Sequence, residues 1–530
     1  MYKPVINTIG IVLITLGSLF SRDVKISPGL EVRLRSSASE PIHTWIYFSD
    51  KNLSKKDSAI MLGGVLSGMD PQTLWRRSKS RSGDLVDVRD LPVSGDYIHQ
   101  VIKSGARLRA TSKWLNAVSI SATPEMILQI SELPFVKKLD VVYGGKRIEP
   151  DISTDDLYFS NPRTDYGNSF DQLGQINVIE AHEAGYAGQG IIVLMLDTGF
   201  YTDHQAIHED QIIAEWDFIN NDGETQNEPG DPDNAHNHGT YTLSALGGSF
   251  EGQLYGPAYN AQFLLAKTED VSQEVPIEED WYVAGLEWGE SLGADVASSS
   301  LGYIDWYTID DLDGETAVTT IAVNTAIENG MVIATAAGNA GPEGIIAPAD
   351  AFDVLTCGAV NGDGEIAGFS SRGPTADGRI KPDVCARGVA TWCAVSGSPD
   401  SYDGVSGTSL STPLIGGVAA VILSARPSWT PIMVKEALTS TASNAANPDN
   451  LYGWGIINVM AAIHFFDASG DVNNDGLLDI LDVVTTINFI LGVLQPDEGQ
   501  LSAGDINQDG ILDILDIVEI VSIIVGVGPE

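Results

Sequence analysis

Four short stretches carry side chains that together could perform acyl transfer. Ser409 lies in Gly407-Thr408-Ser409-Leu410-Ser411-Thr412-Pro413, a glycine-prefaced turn leading into the apolar run from Leu414 to Leu423. That run predicts a buried helix, whose N-terminus would offer oriented N–H groups and a partial positive charge to a developing oxyanion. A serine hydroxyl alone is a weak nucleophile and needs a histidine base and an orienting carboxylate. Asp197 ends the strand-length apolar run Ile191 to Leu196 and precedes Thr198-Gly199, and His238 opens His238-Gly239-Thr240. A carboxylate at a strand end beside a turn glycine suits a catalytic position at the carboxyl edge of a sheet. Asn339, in Ala336-Ala337-Gly338-Asn339-Ala340-Gly341-Pro342, follows the strand-like Met331 to Thr335 and offers an amide to the oxyanion. His236 is the rival base, but it lacks the Gly-Thr that follows His238. His204 is expected to be structural.

In type, order and spacing these motifs resemble those of the subtilisin-like serine peptidases, over residues 166–465. The resemblance implies that Asp197 orients the imidazole, His238 is general base and then acid, Ser409 is the nucleophile and Asn339 an oxyanion donor. It also implies that Ser298 to Gly302 is an edge strand whose backbone at Ser300, Leu301 and Gly302 pairs with an extended polypeptide substrate. No cofactor is implied for catalysis. Phe369-Ser370-Ser371-Arg372-Gly373-Pro374, Lys381-Pro382-Asp383-Val384 and Tyr452-Gly453-Trp454-Gly455-Ile456-Ile457-Asn458 are further family-like segments. Departures are Tyr241-Thr242-Leu243-Ser244 after the histidine motif, Leu410 in place of a frequent methionine, and Ala206 where a common calcium site supplies an aspartate. That calcium site is not expected here. The competing class is a protease fold that has lost turnover and serves as a binding protein; the intact Asp-His-Ser-Asn set argues against it.

Alternating strand-like runs (191–196, 262–266, 294–300, 331–335, 354–360) and helix-like runs (281–292, 316–329, 413–424, 431–441) must position these residues. They predict an α/β body, a parallel sheet with helices on both faces.

The N-terminal segment carries Lys3 and then an apolar core from Ile9 to Phe20, too short to span a membrane, which reads as a secretory signal over residues 1–21. Residues 1–150 hold 21 Lys and Arg against 14 Asp and Glu, a net of +7, whereas the other 380 hold 8 against 58, a net of −50. Within the basic part, 107–122 alternates like two strands with a turn, Thr123 caps a helix from Pro124, and Val136 to Val142 reads as a returning strand. This α+β unit, residues 40–147, resembles the family's inhibitory prosegment, which implies the protein's own prosegment as a partner of its cleft. A breaker-rich linker is expected over 148–170.

The last 60 residues contain a repeat displaced by 34 positions: Asp471, Asn473, Asp475, Asp479 and Asp482 recur as Asp505, Asn507, Asp509, Asp513 and Asp516. These occupy loop positions 1, 3, 5, 9 and 12, with Gly476 and Gly510 at position 6, which is calcium-loop chemistry and predicts two ions. Each loop precedes an apolar helix, without a convincing helix before it. The arrangement resembles a type I dockerin over 468–528, a small all-α pair of calcium loops, and implies a cohesin-type scaffold partner. Ile480-Leu481 and Ile514-Leu515 are unusually apolar at the positions that commonly select that partner. A calcium-stapled cap on the peptidase is the rival reading.

The acidic balance argues against nucleic-acid binding, since phosphate contacts need Lys and Arg, and beyond the N-terminal segment no run makes a convincing membrane span. A secreted or cell-surface enzyme is expected. Cys357 reads as a small buried hydrophobe, and a Cys385–Cys393 bridge is left open.

Overall fold

The computed structural model describes residues 25–37, 40–142, 165–271, 277–304, 307–466, 470–473, 475, 477–507 and 510–525. The expected signal, most of the expected linker and Asp509 lie outside the described residues. The chain divides into two compact units, one comprising 1–52, 93–109 and 116–142, the other 53–92, 110–115 and 143–530.

The larger unit is built on seven parallel strands: β1 (Ile192–Asp197), β2 (Ile212–Asp217), β3 (Gln262–Lys267), β4 (Val296–Ser299), β5 (Val332–Ala336), β6 (Leu355–Val360) and β7 (Val384–Arg387). Their order is β7-β6-β5-β4-β1-β3-β2. Every residue of β4, β5, β6 and β7 is buried, as a sheet covered on both faces requires. Helices Asn237–Gly247 and Thr408–Ala425 pack on each other, as do Ile277–Ser291 and Val318–Glu328. The chain turns from one side of the sheet to the other between β1 and β4, the topological switch point where α/β proteins place their clefts.

Two expectations are corrected. The strand ending at Ser299 is not at an edge: β4 is hydrogen-bonded to β1 on one side and β5 on the other. Ser300, Leu301 and Gly302 instead run out past the carboxyl edge of the sheet. The long apolar helix also starts earlier than 413, at Thr408, and is buried from Thr408 to Leu423. It is long and apolar enough to cross a membrane, but 89% of it is buried inside the body.

Helix Pro71–Ser80 belongs to this same unit. Asp70 caps it, accepting from Gln72 N–H at 2.8 Å, and Pro71 opens it where no intrahelical donor is needed. Its inward face is charged: Arg77 grips Glu290 through Nε (2.8 Å) and Nη2 (3.0 Å) and Asp90 through Nη1 (2.9 Å) and Nη2 (2.8 Å). Arg76 donates to Glu290 and to the carbonyls of Ala294 and Asn329, so both buried guanidinium groups are satisfied.

The smaller unit holds most of a four-stranded sheet ordered Arg107–Ser112, Ala117–Ala122, Ile42–Phe48, Val136–Val141, in which Ile42–Phe48 pairs antiparallel with both of its neighbours; residues 110–112 of the first strand are counted in the larger unit. The expected cap is present, with Thr123 Oγ1 accepting from Met126 N–H at 3.4 Å at the head of helix Pro124–Ser131.

In the C-terminal module, helices Ile480–Ile490 and Ile514–Ile524 follow the two loops and pack together over a small core of Val472, Val483, Phe489 and Ile520. A seven-residue helix, Glu498–Gly504, precedes the second loop, where no convincing helix was expected. Cys357, Cys385 and Cys393 are all buried and unpaired, their thiols pushed far up by burial, so the open bridge between Cys385 and Cys393 does not form.

Candidate active site

Asp197, Ser300 and Asn339 leave the carboxyl ends of β1, β4 and β5, three consecutive neighbours in the sheet. Register aligns them, since Ser299 pairs with Leu196 on one side and Thr335 on the other. His238 comes from the first turn of helix Asn237–Gly247. That helix approaches the Asp-Thr-Gly turn so closely that a Cβ on Gly239 would fall 2.1 Å from the Gly199 carbonyl oxygen. The glycine after the histidine is therefore a steric condition for bringing the imidazole to the carboxylate.

His238 Nδ1 lies 2.6 Å from Asp197 Oδ1. An ionised carboxylate can only accept, so Nδ1 carries the proton and the Nε2 lone pair is left for the cleft. Asp197 is fully buried, and its other donors are Thr198 N–H at 2.8 Å on Oδ1 and Thr242 Oγ1–H at 2.9 Å on Oδ2. Burial pushes this carboxyl up, but the imidazole and these hydrogen bonds outweigh it and hold it below the ordinary carboxylate value.

Ser409 is the second residue of its helix and is 5% exposed. Pro413, inside the first turns, has no N–H to give the Ser409 carbonyl its intrahelical partner. Ser300 supplies one: its Oγ–H donates to Ser409 O at 2.8 Å, while Ser409 Oγ donates to Ser300 O at 3.3 Å. The two serines thus tie the exit of β4 to the helix start. Asn339 Oδ1 accepts from Thr408 N–H at 2.9 Å and Thr408 Oγ1 at 3.0 Å. Because a backbone N–H can only donate, the atom facing it is the amide oxygen, and the amide nitrogen is turned the other way.

The rival histidines are engaged elsewhere. His236 Nδ1 accepts from Asn227 N–H at 3.2 Å, and His204 is fixed between Ala206 N–H (3.1 Å) and Ser401 O (2.8 Å). Thr242 and the Ser300 hydroxyl were missed as supports of the site, because only the tertiary approach brings them to Asp197 and Ser409. Also missed were Asp217, Asp222 and Glu228, whose ligand atoms lie within 4.8 Å of one another. Lys267 Nζ already stands 2.8 Å from Asp217 and 2.7 Å from Asp231.

In the C-terminal loops, the aspartates at position 12 are drawn inward. Asp482 accepts from Val472 N–H (2.9 Å), Asn473 N–H (3.1 Å) and Asp479 N–H (2.9 Å), and Asp516 from Asn507 (3.4 Å) and Asp513 (2.8 Å). Asp479 and Asp513 cap the following helices. The donors are all oxygens, and residues 468–528 contain eleven Asp and Glu with no Lys, Arg or His. That donor set fits a hard divalent cation such as calcium.

A parallel sheet presenting a carboxylate-held imidazole and a serine at a buried helix start is a layout of serine peptidases. Comparison with known proteins narrows the class. The Subtilase family model matches residues 188–455, and the chain belongs to that family of serine endopeptidases. A Peptidase S8 propeptide domain (Bacteroidota) matches residues 43–155 and a Dockerin type I domain residues 469–524. Subtilisin from Bacillus pumilus is 31% identical over 297 residues, covering 55% of this chain and 97% of that one. Subtilisin E from Bacillus subtilis (strain 168) is 29% identical over 369 residues, 68% of this chain and 84% of the other. Among solved structures, fervidolysin from Fervidobacterium pennivorans, a keratinolytic enzyme related to subtilisin, shares the fold with a TM-score of 0.57 at 19% identity. The match covers 81% of this chain and spans 61% of fervidolysin.

Proposed function

We propose that the protein is an exported endopeptidase in which Ser409 Oγ attacks the substrate carbonyl carbon while His238 Nε2 takes its proton. Asp197 holds the imidazole and balances the imidazolium. The oxyanion is met by the Asn339 amide nitrogen and by the backbone N–H of Ser409 at the helix start. His238 then returns the proton to the leaving amine, giving an acyl-enzyme that water cleaves by the reverse proton path. Ser300, Leu301 and Gly302, past the end of β4, are the backbone on which an extended polypeptide pairs. The observation that carries this reading is the 2.6 Å contact of His238 with a buried carboxylate that two further donors, Thr198 N–H and Thr242 Oγ1–H, hold in place.

The chain is organised as a signal (1–21), an inhibitory prosegment (40–147), the peptidase (166–465) and a dockerin (468–528). Two calcium ions are held by Asp471, Asn473, Asp475, Asp479 and Asp482 and by Asp505, Asn507, Asp509, Asp513 and Asp516. Calcium, when bound, neutralises the crowded carboxylates and fixes each loop at the head of its helix. Ile480 (62% exposed), Leu481 (54%), Ile514 (68%) and Leu515 (55%) then face a cohesin-type scaffold partner, which retains the secreted enzyme at the cell surface or on the scaffold. The test is hydrolysis of a denatured protein by the matured enzyme and by Ser409→Ala. Turnover by the first and none by the second, with equal thermal stability, is the expected result. Retained turnover in Ser409→Ala refutes the assignment.

A further inference from the structure

Two segments leave the carboxyl edge of the sheet beside Ser409: Ser300-Leu301-Gly302 after β4, and Ala337-Gly338-Asn339 after β5. A third segment joins them. Ile346 N–H donates to Ala337 O at 3.2 Å, and the adjoining Ala347 exchanges two backbone bonds with Tyr303, at 2.8 and 3.0 Å. Ile346 is thereby pinned between the two segments, and its side chain lies against a glycine of each. A Cβ on Gly302 would fall 2.3 Å from Ile346 Cδ1, and one on Gly338 would fall 3.0 Å from its Cγ2. The space opened by two missing side chains is therefore occupied by an isoleucine from the third. Ile346 is only half-buried, so it is not sealed into the core.

We propose that Ile346 is a specificity-determining residue: it fills the slot for the substrate residue on the acyl side of the scissile bond and restricts that residue to small side chains, Gly, Ala or Ser. The inference rests on the proposed roles of Ser409 and Asn339. One wall of the slot begins at Ser300, hydrogen-bonded to Ser409, and the other ends at Asn339, hydrogen-bonded to Thr408. The slot therefore opens where the attacked carbonyl must lie, and the side chain on the α-carbon bonded to that carbonyl has to enter it. A Leu or Phe there needs the volume that Ile346 already takes, and close-packed protein cannot hold both without displacing one.

The experiment is kcat/KM of the matured enzyme on peptides differing only in the residue before the scissile bond: Gly, Ala, Ser, Leu or Phe. Ala is expected to exceed Phe at least about tenfold. Ile346→Ala and Ile346→Gly are expected to shift the Phe-to-Ala ratio toward Phe by at least about tenfold. Wild-type enzyme that accepts Leu or Phe as well as Ala overturns the inference, as does an unchanged ratio in a folded variant. The wild-type series decides alone should a variant not fold. Hydrolysis of none of the five peptides and of no denatured protein would instead overturn the nucleophile reading, and this inference with it. An active enzyme with the opposite preference overturns the inference only.

Discussion

Thr242 gives its hydroxyl hydrogen to Asp197 Oδ2, the oxygen that His238 does not use. A hydrogen bond to a charged group contributes about 1.5–3 kcal/mol, so Thr242→Val, which keeps the shape and removes the donor, should lower kcat by roughly 10–100-fold. The same change affects pH dependence. Asp197 is held below its ordinary value, so the stability it contributes is fully present above about pH 4 and is lost as pH falls through the folded pKa. Removing a donor to the ionised form raises that folded pKa, and acid unfolding of Thr242→Val should begin at higher pH than in the wild type. Acid titration followed by circular dichroism, with kcat measured alongside, checks both; superimposable curves and rates would contradict the role given to Thr242. The candidates Asp197, His238, Asn339 and Ser409 could be picked out in the sequence because each sits in a short motif with its own glycine. Thr242 could not, since four residues along a helix from His238 it is indistinguishable from any buried threonine until the helix meets β1.

At the scale of elements, the strands visible in the sequence are the long apolar ones, such as Ile191 to Leu196. β2 was not, because its residues are mostly half-buried and Ile213 is exposed, and β7, Val384–Arg387, was not among the expected strands either. Helix Pro71–Ser80 was illegible for a different reason: its buried positions are Thr73, Arg76 and Arg77, which invert the apolar pattern that marks an inward face. This polar face has an energetic consequence. Deleting one partner of a buried pair costs about 3–5 kcal/mol, because the other charge stays buried without compensation. Arg77→Ala in the Ser409→Ala precursor is therefore expected to lower the unfolding free energy by that amount, or to release residues 53–92 to limited proteolysis. Denaturant unfolding and proteolytic mapping distinguish these two outcomes, and a variant as stable and protected as its parent would show that the clasp contributes nothing.

Across the whole molecule, charge is distributed by segment, with +7 in residues 1–150 and −50 in the rest. The C-terminal module is the extreme case, with eleven acidic and no basic residues over 468–528 and, among the described residues, a small apolar cluster of Val472, Val483, Phe489 and Ile520 as its core. So small a core does not offset that repulsion unaided, and folding of the module should depend on bound cation. Calorimetry on the full chain with Ser409→Ala is expected to give two calcium ions per chain, and chelation to abolish protection of residues 468–528 against proteolysis. A module equally protected without calcium would refute the loop assignment. The peptidase carries no such prediction from these loops, since its site is assembled from β1, β4, β5 and two buried helices. The role given to Ser409 requires its activation by His238. The most direct measurement is peptide mapping by mass spectrometry after reaction with an organophosphorus reagent that phosphorylates activated serines. A single adduct on Ser409, absent in His238→Ala, is the predicted result; an adduct elsewhere, or equal labelling of Ser409 without His238, would contradict it.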